Sequence, residues 1–363
     1  MKRMKGILAA RGTFWLSIAA AASIVCCLAF PAASQERMMT INGYAPLQPK
    51  EIFGNAWRIF LDGVIDVDAP ARLEQYMQQH RVANQSLVYL NSPGGNAWGG
   101  QELGRLFRKY ELSTNIGKRR ISAASRLGYE VDAGECYSAC AYAYLGGRFR
   151  YLTKGSSYGV HQFTRGQYGN ERAAQIGSAA RVEYLKSMGI DTELLSLAAS
   201  AAPTEINILD TQTLERLNVV NYGRTRPVWT IESTELGVYV KGERVTAMSG
   251  INKFMLFCTS GQATLYVIFD ALSREDELLK MPAHSLLVDG QVYRIQPIDK
   301  SITNGWFNGT YNLSLPQVNA LRKAAEVGVA LQFNYDAPVF LGFDDMPIDT
   351  KGKQNLLGIL NQC

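Results

Sequence analysis

From about residue 55 to 225, short apolar runs alternate with amphipathic ones. Trp57–Leu61 (WRIFL) and Ser86–Asn91 (SLVYLN) carry the β-branched and aromatic side chains of strands. Between them, Asp68 sits where it would cap a helix running through about Gln79. A second helix is predicted over Gln101–Tyr110, with Leu103, Leu106 and Phe107 on one face, followed by a strand at Ser113–Ile116. The stretch from Asn170 to about Ser200 reads as two helices separated near Gly189, and Tyr222-Gly223-Arg224 closes the region. Repeated alternation of strand and helix predicts a parallel sheet with right-handed crossovers, an α/β domain over residues 55–225.

After Pro227 the texture becomes β-rich. Gly237–Val240, Phe254–Cys258, Thr264–Phe269, Leu286–Val288 and Val292–Ile295 are strand candidates, and Asp289-Gly290 between the last two is a hairpin signal. An amphipathic helix is expected from Ser314 through about Glu326. Strands at Val329–Phe333 and Val339–Phe343 and a terminal helix from Thr350 to about Leu360 follow. Residues 226–363 therefore read as a separate, smaller α+β or β-sandwich-like module. No fixed-period repeat runs through the chain, which argues against solenoids and propellers.

The N-terminus has a pattern of its own. Basic residues up to Arg11 precede an apolar run from Phe14 to Phe30, and Pro31-Ala32-Ala33-Ser34 places Ala32 and Ser34 at the −3 and −1 positions of a cleavage site. That is the layout of a secretory signal over residues 1–34, with an N-terminal extension over 35–54. The alternative is an uncleaved membrane anchor. Val25 before Cys26 is too bulky for a lipoprotein signal. An exported, periplasmic chain is expected.

The length of 363 residues suits two domains, perhaps three, and 47% hydrophobic with 19% charged residues is a folded composition. The formal charge of +5 shrinks to +1 when Lys2, Arg3, Lys5 and Arg11 leave with the signal, so a nucleic-acid partner is not expected. Cys136, Cys140, Cys258 and Cys363 remain, an even number with three connectivities.

Three segments carry candidate chemistry. Asn91-Ser92-Pro93-Gly94-Gly95 follows a strand and precedes a helix; its glycines serve either a tight turn or a close approach of backbone amides to developing negative charge. It is no P-loop, because no Gly-Lys-Ser/Thr follows. In Cys136-Tyr137-Ser138-Ala139-Cys140-Ala141, Ser138 has small neighbours and is either a helix cap or a nucleophile. Tyr158-Gly159-Val160-His161-Gln162-Phe163 is a short strand ending at a histidine. Of three histidines, His80 lies in a polar run at a helix end and His284 is expected in a loop, which leaves His161 as the candidate base.

Together these segments resemble the proteolytic subunit of Clp protease, within the Clp/crotonase-like superfamily. That family pairs a Ser-Pro-Gly-Gly turn with a serine in a small-residue turn and a His-Gln about two dozen residues on; here His161 lies 23 residues after Ser138. The resemblance covers roughly residues 55–225. It implies Ser138 as nucleophile, His161 as general base, and the amides of Gly95 and Ala139 as oxyanion donors. It also implies a third triad member, matched by Asp210, which lies 49 residues after His161 and 13 before Gly223; the other reading of Asp210 is a cap for a helix at Thr211–Leu217.

The implied function is a serine-type peptidase acting through an acyl-enzyme on a peptide or protein substrate, with self-association into a homo-oligomer and with no cofactor or metal. An ATP-driven unfoldase is not expected outside the cytoplasm. The stretch from Gly95 to Ser138 is longer than usual for the family, and the extra length is expected as a basic loop over Lys118–Gly134. Alternatives are a Ser-Lys peptidase resembling signal peptide peptidase A, with Lys154 as a poor candidate base, a crotonase-type acyl-CoA enzyme, and a non-catalytic binding scaffold. Because each pair falls within one expected domain, the disulfides expected are Cys136–Cys140 and Cys258–Cys363.

Overall fold

A computed structural model of the chain describes residues 38–46, 55–162, 171–235 and 237–363. The expected signal over 1–34 and much of the extension lie outside the described residues. Among the described residues, no helix is long and apolar enough to cross a membrane. The protein is a mixed α/β structure.

Strands β1 (Thr40–Tyr44) and β2 (Arg58–Asp62) pair antiparallel. Helix α1 (Ala69–His80) follows, with Pro70 in its first turn, where a missing N–H costs nothing, and with Leu73 and Met77 buried one turn apart. Asp68 stands at its N-cap without a side-chain capping bond. Next come β3 (Leu87–Asn91), α2 (Ala97–Lys109), β4 (Ser113–Ile116), β5 (Lys118–Ile121), β6 (Tyr129–Asp132), β7 (Glu135–Tyr137), α3 (Ala139–Leu145), β8 (Arg150–Leu152) and β9 (Ser157–Val160). Helices α4 (Glu171–Ser187) and α5 (Glu193–Ala199), strand β10 (Asn207–Ile208) and helix α6 (Thr211–Arg216) complete this half.

The main sheet has the order β1-β2-β3-β4-β8, parallel except for β1, and a smaller sheet has the order β10-β9-β7. Helix α2 begins four residues before the expected Gln101, because Asn96 caps it by accepting from the Gly99 amide. The expected basic loop over Lys118–Gly134 is instead the β5–β6 hairpin. Within it Arg120 pairs with Glu130 and Asp132, and Arg119 donates to the Tyr44 hydroxyl at 2.6 Å.

The remainder comprises β11 (Val228–Thr234), β12 (Gly237–Thr246), β13 (Gly250–Thr259), β14 (Gln262–Asp270), α7 (Glu275–Lys280), β15 (Ala283–Val288), β16 (Gln291–Ile295), β17 (Pro297–Thr303), β18 (Trp306–Asn312), α8 (Leu315–Lys323), β19 (Glu326–Gln332), β20 (Leu341–Pro347) and α9 (Thr350–Leu360). Two antiparallel sheets form, β11-β12-β13-β14-β18-β17 and β16-β15-β19-β20. The Asp289-Gly290 hairpin joins β15 to β16 with both residues at positive φ, 49° and 76°, as a two-residue primed turn requires. Two readings are corrected here. Helix α8 stops at Lys323 and Glu326 opens β19, where Asp289 accepts from the Ala325 and Glu326 amides. His284 lies within β15, fully buried, not in a loop.

The buried apolar side chains gather in two main clusters, one running from Met39 to Val220 and the other from Trp229 to Leu360. The Cys136 and Cys140 sulfurs are at disulfide distance, as are those of Cys258 and Cys363, which ties the last residue to β13. This is the pairing expected from the sequence, and bonds of this kind persist in an oxidising compartment.

Candidate active site

The Ser-Pro-Gly-Gly turn and the Ser138 turn meet because β3 and β7 run side by side at their ends. The Ser92 amide donates to the Glu135 carbonyl at 2.7 Å and the Tyr137 amide to the Ser92 carbonyl at 3.1 Å. Ser92 is fully buried, and its hydroxyl accepts from the Gly94 amide at 3.1 Å, which curls the turn. Gly94 then lies directly against the candidate nucleophile: a Cβ there would stand 2.7 Å from both the Ser138 Cβ and the Tyr137 carbonyl oxygen. Gly95 abuts the other wall, where a Cβ would meet the Ile65 carbonyl oxygen at 2.3 Å. Both glycines have positive φ, 110° and 131°, so no other residue fits either position without strain.

Ser138 carries the chain from β7 into α3 with φ 55° and ψ −118°. A side chain there costs on the order of 1–3 kcal/mol. The Ser138 amide donates to the Gly159 carbonyl at 3.0 Å, continuing the parallel β7–β9 ladder in which Tyr137 faces Gly159. Two residues beyond Gly159, His161 leaves the same ladder. The next residue anchors the strand end, since Gln162 donates its amide to the Ala201 carbonyl and its Nε2 to the Ala199 carbonyl, at 3.1 and 2.6 Å. Ser138 and His161 are both partly exposed.

Two amides suit a developing oxyanion. The Gly95 N–H donates to no partner among the described residues, because the bridge to Ile65 uses the Gly94 carbonyl and the Asn96 amide instead. Ala139 is the first residue of α3, so its N–H has no intrahelical acceptor. The turn is braced from behind by α2, whose Gly100 lies so close that a Cβ would stand 2.3 Å from the Ala139 carbonyl oxygen. Helix α3 is buried on every side, and the Tyr158 and Tyr184 hydroxyls bond its Ala141 and Tyr142 carbonyls.

Asp210 is not brought to this site. It caps α6, where Oδ1 accepts from the Thr213 amide at 2.7 Å and Oδ2 from the Thr213 hydroxyl at 3.1 Å. Those two bonds, the amide first, hold its carboxyl below the usual aspartate range. The reason is topological. Strand β10 runs antiparallel to β9, with Asn207 facing Val160 and Ile208 facing Gly159, so each step from 207 to 210 leads away from His161. Ile206, the residue before β10, lies with its Cγ2 over Gly159, two residues before His161. The His161 Nδ1 is buried and has no hydrogen-bond partner among the described residues, though residues 163–170 that follow are not among them.

The other candidates fall elsewhere. Lys154 is exposed in the turn between β8 and β9, at the end of the ladder away from Ser138. His80 is exposed at the end of α1, beside Trp57 and Tyr76. His284 is sealed between the Tyr311 hydroxyl at 2.7 Å and the Met281 carbonyl at 2.9 Å, and burial pushes its pKa down. Sequence reasoning found Gly94 as part of the Gly-Gly turn and missed Gly100 and Ile206. The doubled glycine at 99–100 was the available signal for Gly100. Among the described residues no group of three or more histidine, cysteine or carboxylate side chains is placed to hold a metal ion. Compared with known proteins, the chain matches no family model and no curated sequence.

Proposed function

We propose that the protein is an exported serine hydrolase, a peptidase by preference, working with Ser138 as nucleophile and His161 as base and without Asp210. One observation carries this reading: Ser138 is held in a strained strand-to-helix turn, flanked by Gly94 and joined by its own amide to the strand that ends at His161. In this mechanism His161 takes the hydroxyl proton as the Ser138 oxygen attacks a carbonyl, and the Gly95 and Ala139 amides receive the oxyanion. Protonated His161 then gives its proton to the leaving group, and water discharges the acyl-enzyme. Each oxyanion donor is worth about 2.7–4 kcal/mol of transition-state stabilisation. Resemblance to Clp-type peptidases supports the assignment of roles, and oligomerisation belongs to the same proposal.

The test is labelling of the purified protein by a fluorophosphonate probe, with Ser138→Ala as control. Labelling of the protein and not of the variant is the expected result. A second reading has an observation of its own: no carboxylate among the described residues bonds the buried Nδ1 of His161, so the scaffold is also suited to binding alone. No labelling at any pH between about 6 and 9, a span bracketing a histidine base, decides for that reading.

A further inference from the structure

Where the chain passes from the first buried cluster to the second, a cleft of about 520 Å³ opens. Its charged walls are Glu215, then Arg224 and Arg226 in the crossing segment, Arg244 from β12 and Asp345 from β20. None of the residues assigned to the hydrolytic site lines it.

The cations in this cleft are unevenly paired. Asp345 serves two guanidiniums at once: Oδ1 accepts from Arg244 Nη2 at 2.8 Å, while Oδ2 accepts from Arg224. Arg226 donates Nη2 to the Arg216 carbonyl at 2.5 Å and makes no ion pair among the described residues. Three guanidiniums line the cleft with the carboxylates of Asp345 and Glu215, while the Asp344 and Glu326 carboxylates also act on Arg244, which leaves Arg226 as the lining cation without a carboxylate of its own. Arg244 itself is 4% exposed. Its Nη atoms are taken up by the Asp344 and Asp345 carbonyls and by the Asp345 carboxylate, while its Nε is buried and has no partner among the described residues. Burial, and then the neighbouring Arg224 charge, pull its pKa down to about 10.

An exposed guanidinium that shares its carboxylate with a buried one, and a third with no carboxylate partner beside them, would be relieved by one more anion. The planar fork of arginine matches the paired oxygens of carboxylate and phosphate groups, and a concave surface of one charge sign concentrates such ligands. The volume falls within the range of small-molecule sites. We propose that this cleft binds a small oxyanion, a carboxylate or phosphate group, held by Arg224 and Arg226 beside the buried guanidinium of Arg244.

The test is isothermal titration of the purified protein with sodium phosphate and with sodium succinate, each against sodium chloride at matched ionic strength. Saturable binding of at least one is expected. Arg224→Gln and Arg226→Gln, both at exposed positions, should each weaken it about tenfold or more, the loss of one charge-assisted hydrogen bond. Asp345→Asn should tighten it, since the competing carboxylate goes while asparagine still suits the positive φ of 48° there. Arg274→Gln, whose guanidinium pairs with Glu277, should leave it unchanged. Binding of phosphate alone or succinate alone names the source, and binding of both shows that the shared oxyanion geometry is what is read. Saturable binding of neither, or binding undiminished in both cleft variants, overturns the proposal, and neither result bears on labelling at Ser138.

Discussion

Gly100 in α2 and Gly358 in α9 occupy helices of the same kind of backbone and differ in what surrounds them, so one substitution separates packing from propensity. Around Gly358 there is open space, and Gly358→Ala should stabilise the protein by about 0.5–1 kcal/mol through the reduced freedom of the unfolded chain. Gly100→Ala gains a similar amount and then meets the Ala139 carbonyl oxygen at 2.3 Å, its carbon at 2.9 Å and its Cβ at 3.0 Å. Those are mostly backbone atoms and cannot rotate aside. Relieving the contact separates α2 from the start of α3 by roughly 1 Å, and overpacking of that order costs about 1–3 kcal/mol. The clash wins, so the two variants should differ by about 2 kcal/mol in urea unfolding, with opposite signs relative to the parent. The same displacement moves the Ala139 amide, and a misplacement of about 1 Å can cost about 100-fold in rate, read as fluorophosphonate acylation. If Gly100→Ala stabilises as much as Gly358→Ala, the close approach of α2 to the nucleophile turn is wrong. If it destabilises but acylates at the parental rate, the Ala139 amide takes no part in the chemistry.

Asp210→Asn should acylate within a few-fold of the parent, because asparagine caps a helix as well as aspartate and the carboxylate lies away from His161; a loss approaching the roughly 10⁴-fold of a triad aspartate would restore it to the mechanism. His284, whose pKa burial lowers, is held neutral in the fold, so the unfolded chain takes up the extra proton as pH falls below the ordinary histidine value. Stability from this group is therefore intact above about pH 6.5 and declines below it, by up to about 1.4 kcal/mol per pH unit, and His284→Gln should remove that part of the slope in unfolding titrations just below about pH 6.5.

The sequence was most legible where one physical cause acted alone. The parallel strands β2 and β3 are buried on both faces and read as near-continuous apolar runs, and Leu103, Leu106 and Phe107 mark the inner face of α2. Strand β1, with the sequence TINGY, has no apolar alternation of its own and is a strand because β2 offers it an edge. Gly99 and Gly100 argue against helix by propensity, yet α2 includes them, because only residues without a Cβ allow it to close on Asp66 and Ala139. The hardest reading was Asp210. Its distance from His161 along the chain suits a triad, its place before Thr211 suits a cap, and the direction of β10, which separates the two, is a long-range pairing that no local pattern encodes.

Positive φ by itself says little about Ser138. Arg81 and Glu111 share it at helix ends, and Ser260, Asp289 and Asn304 share it in hairpins, where the turn itself demands it. Ser138 is different in that the chain enters α3 directly from β7, and its ψ of −118° lies far from the left-handed helical well used at such turns. The strain persists because the Ser138 amide is bonded to Gly159, Cys136 and Cys140 are joined across the turn, and Gly94 leaves room on one side. A structural cap would favour a relaxed residue here; a nucleophile that must be presented would not. The two cases separate by comparing Ser138→Gly with Ser138→Ala. At an unstrained site alanine is the more stable by about 0.4–1 kcal/mol. At this one glycine escapes a strain of about 1–3 kcal/mol that alanine keeps, so the order should reverse, with Ser138→Gly the more stable of the two by up to about 2 kcal/mol in urea unfolding and neither variant labelled by the probe. Ser138→Ala emerging as the more stable would mean that the turn relaxes without cost, and the strain argument for a nucleophile at Ser138 would fall with it.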